Sequence, residues 1–179
     1  MLEHRLACLA DSPVICALVN AAYRGETSRA GWTTEADLLT GVRTSERTVQ
    51  ALIAREDACI LLGEEPGGAV VACICLEYHH AVENTVHLGM IAVSPLLQNR
   101  GYGKAMILAA EKLAQGRWQV SQAEMLVISL RQELIAFYQR LGYLLTGQVQ
   151  PFPQQPDMWQ PQVEGMQLIT LQKKLSPGL

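Results

Sequence analysis

Charged residues are few in this chain. Asp, Glu, Lys and Arg make up 17% of its 179 residues, and 17 acids against 14 bases leave a formal net charge of −3. That balance provides no basic footprint for nucleic acid. Long apolar runs are missing as well, and none approaches the roughly 20 residues that cross a bilayer, so no membrane partner is expected. The opening MLEHRLACLADS has too short an apolar stretch for a secretory signal. The five cysteines, Cys8, Cys16, Cys59, Cys73 and Cys75, are odd in number and scattered. They read as free thiols in a reducing compartment, which predicts a cytoplasmic protein. Cys73 and Cys75 resemble half a metal site, but no second pair accompanies them and they share one face of an apolar, strand-like run. They read as small buried hydrophobes, and no metal is expected.

What the chain does have is apolar bulk. Hydrophobic residues are 49%, which excludes a disordered polypeptide. At about 150 residues per domain the length predicts one domain, long enough to bury a core without staples. Residues 4–9 read as a short strand. Asp11 or Ser12 caps a helix with Pro13 in its first turn and Val14, Leu18, Ala21 and Ala22 at helical spacing, ended by Gly25. After a polar loop, 26–32, Thr33 or Thr34 opens a second helix with Glu35 and Asp37 in its first turn, stopped by Gly41. Residues 43–55 hold a further short helix. Strands are predicted over 58–64, 69–78 and 85–93, the last broken by a bulge at Gly89. A helix over 103–115, a strand over 125–130 and a helix over 132–141 follow. The final strands, 143–150 and 166–174, flank a Pro-rich loop, 151–161. The whole is a mixed α/β (α+β) domain, a sheet faced by helices.

The most informative stretch runs from Leu88 to Lys112. A strand ends at Ser94-Pro95, the turn Gln98-Asn99-Arg100-Gly101-Tyr102-Gly103 follows, and a helix starts directly from it. Helix N-termini leave backbone N–H groups unpaired and carry about half a positive charge, and glycines let an anion approach the backbone. Arg100 and Lys104 add charge at the same spot. A Walker loop is excluded, because Gln98 stands where its first glycine belongs and Ala105 follows the lysine. A dinucleotide fingerprint needs a third glycine where Met106 stands. A plain strand-to-helix turn without a ligand is the remaining alternative.

Gln-x-x-Gly-x-Gly after a strand ending Ile-Ala-Val-Ser-Pro resembles the acetyl-CoA motif of the GNAT superfamily of N-acetyltransferases. Phe137-Tyr138-Gln139-Arg140-Leu141-Gly142-Tyr143, on the helix after the next strand, is similar to a second signature of that family. The resemblance is strongest from His87 to Gly142 and covers most of the chain in element order. It implies a GNAT-like single domain over 1–179, with a central mixed, mostly antiparallel sheet of six to seven strands splayed at a bulge and about four flanking helices. Residues 1–57 would form the acceptor side, 58–130 the sheet and acetyl-CoA motif, and 131–179 the last helix and strands.

Carried over residue by residue, the resemblance places the coenzyme's pyrophosphate on the amides of Asn99, Arg100, Gly101, Tyr102, Gly103 and Lys104, with Gln98 opening the turn. The pantetheine arm would lie along Ile91, Ala92 and Val93, with an N–H near Ile91 as oxyanion donor. Tyr138 matches the tyrosine that hydrogen-bonds the departing sulfur; the plain alternative is a core tyrosine. A phenol (pKa about 10) is a weaker acid than a thiol (about 8.5), so a hydrogen bond with late transfer fits better than early protonation. Many members carry Asn seven residues before this tyrosine, where this chain has Arg131, so a coenzyme contact there is altered. An alkyl amine near pKa 10.4 is neutral in only about one molecule in 2,500 at pH 7, so a base is needed. In the histone-acetyltransferase branch a glutamate stands six residues before the match to Val93 and thirteen before the match to Arg100, and both counts land on His87. Glu77, His79 and His80 are rivals, and a water chain is another route.

The acceptor side is implied to involve Tyr23-Arg24-Gly25-Glu26 and Trp32, with Glu77, and Phe152 and Trp159 of the Pro-rich loop. The reading is acetyl transfer from acetyl-CoA to a small-molecule amine by direct attack in a ternary complex, in a monomer or homodimer. A protein acetyltransferase and a non-catalytic acyl-CoA-binding module are the rival readings, and a longer acyl donor is a third.

Overall fold

A computed structural model describes residues 2–82 and 84–176. The elements in chain order are β1 (Glu3–Leu6), α1 (Ser12–Tyr23), α2 (Gly25–Ser28), β2 (Leu39–Gly41), α3 (Glu46–Ile53), β3 (Ala58–Glu64), β4 (Val70–Tyr78), β5 (Thr85–Val93), α4 (Tyr102–Trp118), β6 (Gln122–Ile128), α5 (Gln132–Arg140), β7 (Leu144–Pro151), β8 (Trp159–Pro161) and β9 (Gln167–Lys174). Seven strands form one sheet in the order β1-β3-β4-β5-β6-β9-β7. Every pairing in it is antiparallel except β5 with β6. This is a single mixed α/β domain, as the sequence implies.

The central strands are apolar throughout because both faces are covered. On one face α4 sets Met106, Ile107, Ala110 and Ala114 against Leu61, Ile74, Leu76 and Leu88. On the other, Ile15, Val19 and Ala22 of α1 and Val49 of α3 meet Ile60, Leu62, Cys73, Cys75 and Ala92. Cys73 and Cys75 are therefore core residues on one face of β4. The last helix stops where Gly142 turns left-handed (φ 93°) and the Tyr143 N–H reaches back to the Tyr138 carbonyl.

The structure departs from the sequence expectations in the N-terminal third. No helix forms over 33–40. Residues 25–28 make one short turn of helix, and Leu39–Gly41 is a strand. It pairs antiparallel with Trp159–Pro161 from inside the Pro-rich loop, a small ribbon separate from the main sheet. The capping signal at Thr33 and Thr34 is absorbed otherwise: the Thr33 hydroxyl donates to the Ala22 carbonyl and the Thr34 hydroxyl bonds Ser28. Among the described residues five α-helices accompany the sheet, one of them the single turn at 25–28, in keeping with the expected number. Beneath the ribbon, Leu39 and Trp159 pack on Ile128 and Met166.

Gly41 fixes that ribbon. Its φ is +86°, and an added Cβ would lie 2.0 Å from the Met158 carbonyl oxygen. Gly41→Ala is expected to lower stability by about 1–3 kcal/mol, read as a shift in urea midpoint, with helical circular dichroism retained.

Candidate active site

The parallel ladder between β5 and β6 lasts three residue pairs, Thr85 with Gln122, Val86 with Ala123 and His87 with Glu124. Beyond it the strands part. Part of the cause lies in β5: Met90 takes a left-handed φ of 47°, and the register with β4 slips between Cys73 and Cys75. The bulge thus falls at Met90 and Ile91, just after the Gly89 that the sequence marks. Two cavities occupy the opening. The inner one, about 190 Å³, lies between His87–Ile91 of β5 and Met125–Ile128 of β6 and is bordered by Phe152, Pro153 and Trp159. The outer cleft, about 290 Å³, runs from Ile91 and Val93 along the turn to Gly103 and Lys104 and is flanked by Phe137 and Arg140. Tyr23, Ile91, Leu134 and Tyr138 line both.

At the outer cleft the turn has the form of an anion cradle. Asn99 (φ 65°) and Gly101 (φ 80°) are left-handed, and α4 starts immediately after. From Asn99 to Lys104 no backbone N–H donates to another described residue. Six free donors at the positive end of a 17-residue helix suit a pyrophosphate. The turn is fastened by a side chain whose role the motif does not reveal. The buried Gln98 amide accepts from the Trp32 N–H (2.8 Å) and donates to the Thr33 hydroxyl (2.8 Å) and the Val93 carbonyl (3.1 Å). Gly31 makes room for it, since a Cβ there would lie 2.6 Å from Gln98 Oε1.

At the junction of the cavities stand two tyrosines. The Tyr23 hydroxyl donates to the Ile91 carbonyl. Tyr138 is buried, yet its hydroxyl has no hydrogen-bond partner among the described residues. Burial pushes its phenol well above the ordinary range, so the group keeps its proton and acts as a donor. On the inner side His87 Nδ1 lies 3.7 Å from Glu124 Oε1, and His79 Nε2 lies 3.4 Å from the same oxygen. The neighbouring His87 holds the Glu124 carboxyl below its usual range despite partial burial.

A match to the sequence profile of the acetyltransferase (GNAT) family extends over residues 19–143. That is more than half of the chain.

This protein belongs to the GNAT acetyltransferase family.

Transfer of an acetyl group from acetyl-CoA is that family's chemistry. Among solved structures, the ribosomal-protein-S18-alanine N-acetyltransferase of Escherichia coli is similar over 99% of this chain and 96% of its own, with a TM-score of 0.70 and 17% identity. The yncA protein of Salmonella typhimurium, solved with its cofactor acetyl-CoA, covers 99% and 95% at 0.68 and 18%. The spermidine/spermine N-acetyltransferase SpeG of Vibrio cholerae covers 97% and 95% at 0.67 and 10%. At these identities the likeness is one of fold. No curated protein matches the chain.

In this GNAT chain the residues singled out from sequence fall into three groups. Tyr23, Ile91, Val93, Gln98, Asn99, Gly101, Tyr102, Gly103, Lys104 and Tyr138 line the coenzyme-side cleft, and His87 lines the inner cavity. Ala92 belongs to β5 and is buried in the cluster with α1, and Arg100 is exposed on the turn. Others lie outside the inner cavity. Glu26 is exposed and pairs with Arg29. Trp32 borders the outer cleft, edge-on to Phe137 at 5.5 Å. Glu77 pairs with Arg55 at 2.5 Å, and His80 with Asp57 at 2.8 Å, around a surface hollow that His87 and Glu124 also line. Arg131 turns away from the cleft: it donates to the Thr33 carbonyl (3.1 Å) and to Glu133, and lies 3.6 Å from Glu35. Glu35 in turn pairs with the buried Arg24.

Two residues of the inner side escaped the sequence reading, and Arg24, within the stretch assigned to the acceptor side, does line the inner cavity. Glu124 had a signal, a lone acid in an apolar strand. Arg43 had none, since its place depends on how the N-terminal segment folds back.

Burial pushes the Cys73 thiol up to about 12, and Cys75 further. Brief treatment of the native protein with a thiol reagent is expected to label Cys8 and Cys16 and to spare Cys59, Cys73 and Cys75 until denaturant is added. Peptide mass spectrometry reads the difference.

Proposed function

We propose that this protein is an N-acetyltransferase that carries acetyl from acetyl-CoA to the primary amine of a small molecule, in the cytoplasm, within a ternary complex. The observation that carries the reading is the meeting of the two cavities at the free hydroxyl of Tyr138. Acetyl-CoA supplies the thioester; the chain supplies position, polarity and protons.

The unpaired amides of the turn, with Lys104 beside them, hold the pyrophosphate. The bulge at Met90 and Ile91 turns main chain toward the cleft, where an Ile91 N–H faces the thioester oxygen. Tyr138 donates to the departing sulfur. Its raised pKa makes full early transfer unfavourable, so its part is a hydrogen bond that strengthens late. His87 takes the proton from the amine, and Glu124 orients the imidazole and balances the charge it gains. The thiols of β4 are buried and face α1, which supports direct attack without an acyl-enzyme. The inner cavity, about 190 Å³, falls below the roughly 300–1,000 Å³ of sites for drug-sized ligands. That supports a small acceptor over a bulky one.

Thiol release from acetyl-CoA, followed against an amine panel, tests the reading; acetyl-CoA binding without amine-dependent release contradicts it. Tyr138→Phe is expected to lower kcat at least about tenfold with the coenzyme Kd little changed. His87→Ala is expected to flatten the acidic limb of the pH–rate profile. Glu124→Gln is expected to lower kcat, because His87 loses the carboxylate beside it, with the coenzyme Kd little changed.

A further inference from the structure

We propose that the acceptor is a primary amine that also carries a carboxylate and an apolar side chain, a free amino acid rather than a simple amine or polyamine. The inference rests on the N-acetyltransferase reading above and deepens it. Its starting point is the charge on the wall of the inner cavity. Arg24, Arg43 and Glu35 line that cavity together with His87, and Glu35 is the one carboxylate among the described lining residues.

That carboxylate is already committed. Arg24 pairs with it from one side, and Arg131 lies 3.6 Å away on another. Arg24 is almost fully buried, and its Nε finds no partner among the described residues. A cationic amine entering here meets no uncommitted carboxylate among the described lining residues. An anionic group does find a partner. Arg43 has no carboxylate partner among the described residues. The residue is half-buried, and its guanidinium sits over the Tyr23 ring, 5.9 Å from the centroid. The hydroxyl of that ring reaches the Ile91 carbonyl at the bulge. Arg43 is thus one tyrosine ring away from the strand edge where the acetyl group is offered.

A planar guanidinium held against an aromatic face is the side chain suited to a carboxylate in bidentate contact. The same positive wall helps the chemistry. It favours the neutral form of the amine, which is the form that attacks. The remaining surface, from Met90, Leu126, Leu134, Phe152, Trp159 and Leu168, is apolar and receives the side chain of the amino acid. In the reaction the amine nitrogen forms a bond to the acetyl carbon as the carbon–sulfur bond breaks. One proton leaves the nitrogen for His87 and one reaches the sulfur from Tyr138, giving the N-acetyl amino acid and the free thiol. Solvent then restores both side chains.

The test compares matched probes, L-leucine with isoamylamine and L-phenylalanine with phenethylamine. Thiol release is followed in the wild type, Arg43→Gln and Arg43→Lys, alongside a binding titration with acetyl-CoA. The wild type is expected to favour each amino acid over its amine by at least about tenfold in kcat/KM, the scale of one charge-assisted contact. Arg43→Gln should reduce that ratio at least about tenfold, and Arg43→Lys should retain part of it. A wild-type ratio near one or favouring the amines overturns the inference and leaves the N-acetyltransferase reading standing. So does a ratio that Arg43→Gln does not change. Acetyl-CoA binding with no turnover of any of the four probes also overturns the inference. Absence of acetyl-CoA binding removes the underlying reading and the inference with it.

Discussion

The site depends on one constraint: two neighbouring parallel strands that pair for three residues and then part. A sheet opened in this way exposes main chain along a strand edge and needs supports to keep the gap from collapsing. On the β5 side the support is the bulge, with Met90 forced left-handed and Tyr23 bonded to the Ile91 carbonyl. On the far side Tyr138 and Leu134 of α5 fill the angle. The residues that hold the gap open therefore also line both cavities, so structural and chemical roles are hard to separate at Tyr23 and Tyr138.

A second layer of fastening comes from polar side chains. Gln98 and Arg131 reach the same short loop, at Trp32 and Thr33, one from the turn before α4 and the other from the start of α5. Glu35 joins Arg24 and Arg131 behind it. These groups are buried, and each would be costly to leave unpaired. They make the loop a fixed wall between coenzyme side and acceptor side. At a different altitude of the same opening, Glu124 gathers His79 and His87 where the parallel ladder ends.

Much of this was legible in the sequence because the signals were local. The central strands and α1, α4 and α5 follow from apolar periodicity. The turn from Gln98 to Lys104 follows from its glycines, and Tyr138 from its place on the helix two elements later. The N-terminal third was read wrongly between 33 and 41, where good capping residues suggested a helix. Tertiary pairing with Trp159–Pro161 won there, and a three-residue ribbon strand has no periodicity to announce it. Arg131 was legible as a departure from the family pattern, yet its partners lie about a hundred residues away in the chain. The same holds for Arg43, which acquires meaning only beside Tyr23.

The account's central claim is that the unpaired amides before α4 are the coenzyme's anchor. Hydrogen–deuterium exchange of residues 99–104, with and without acetyl-CoA, tests it most directly. The account predicts clear slowing of exchange in this segment on adding acetyl-CoA, and little effect of NAD at the same concentration. Unchanged exchange there, under conditions where acetyl-CoA demonstrably binds, would contradict it and move the coenzyme to another face of the molecule.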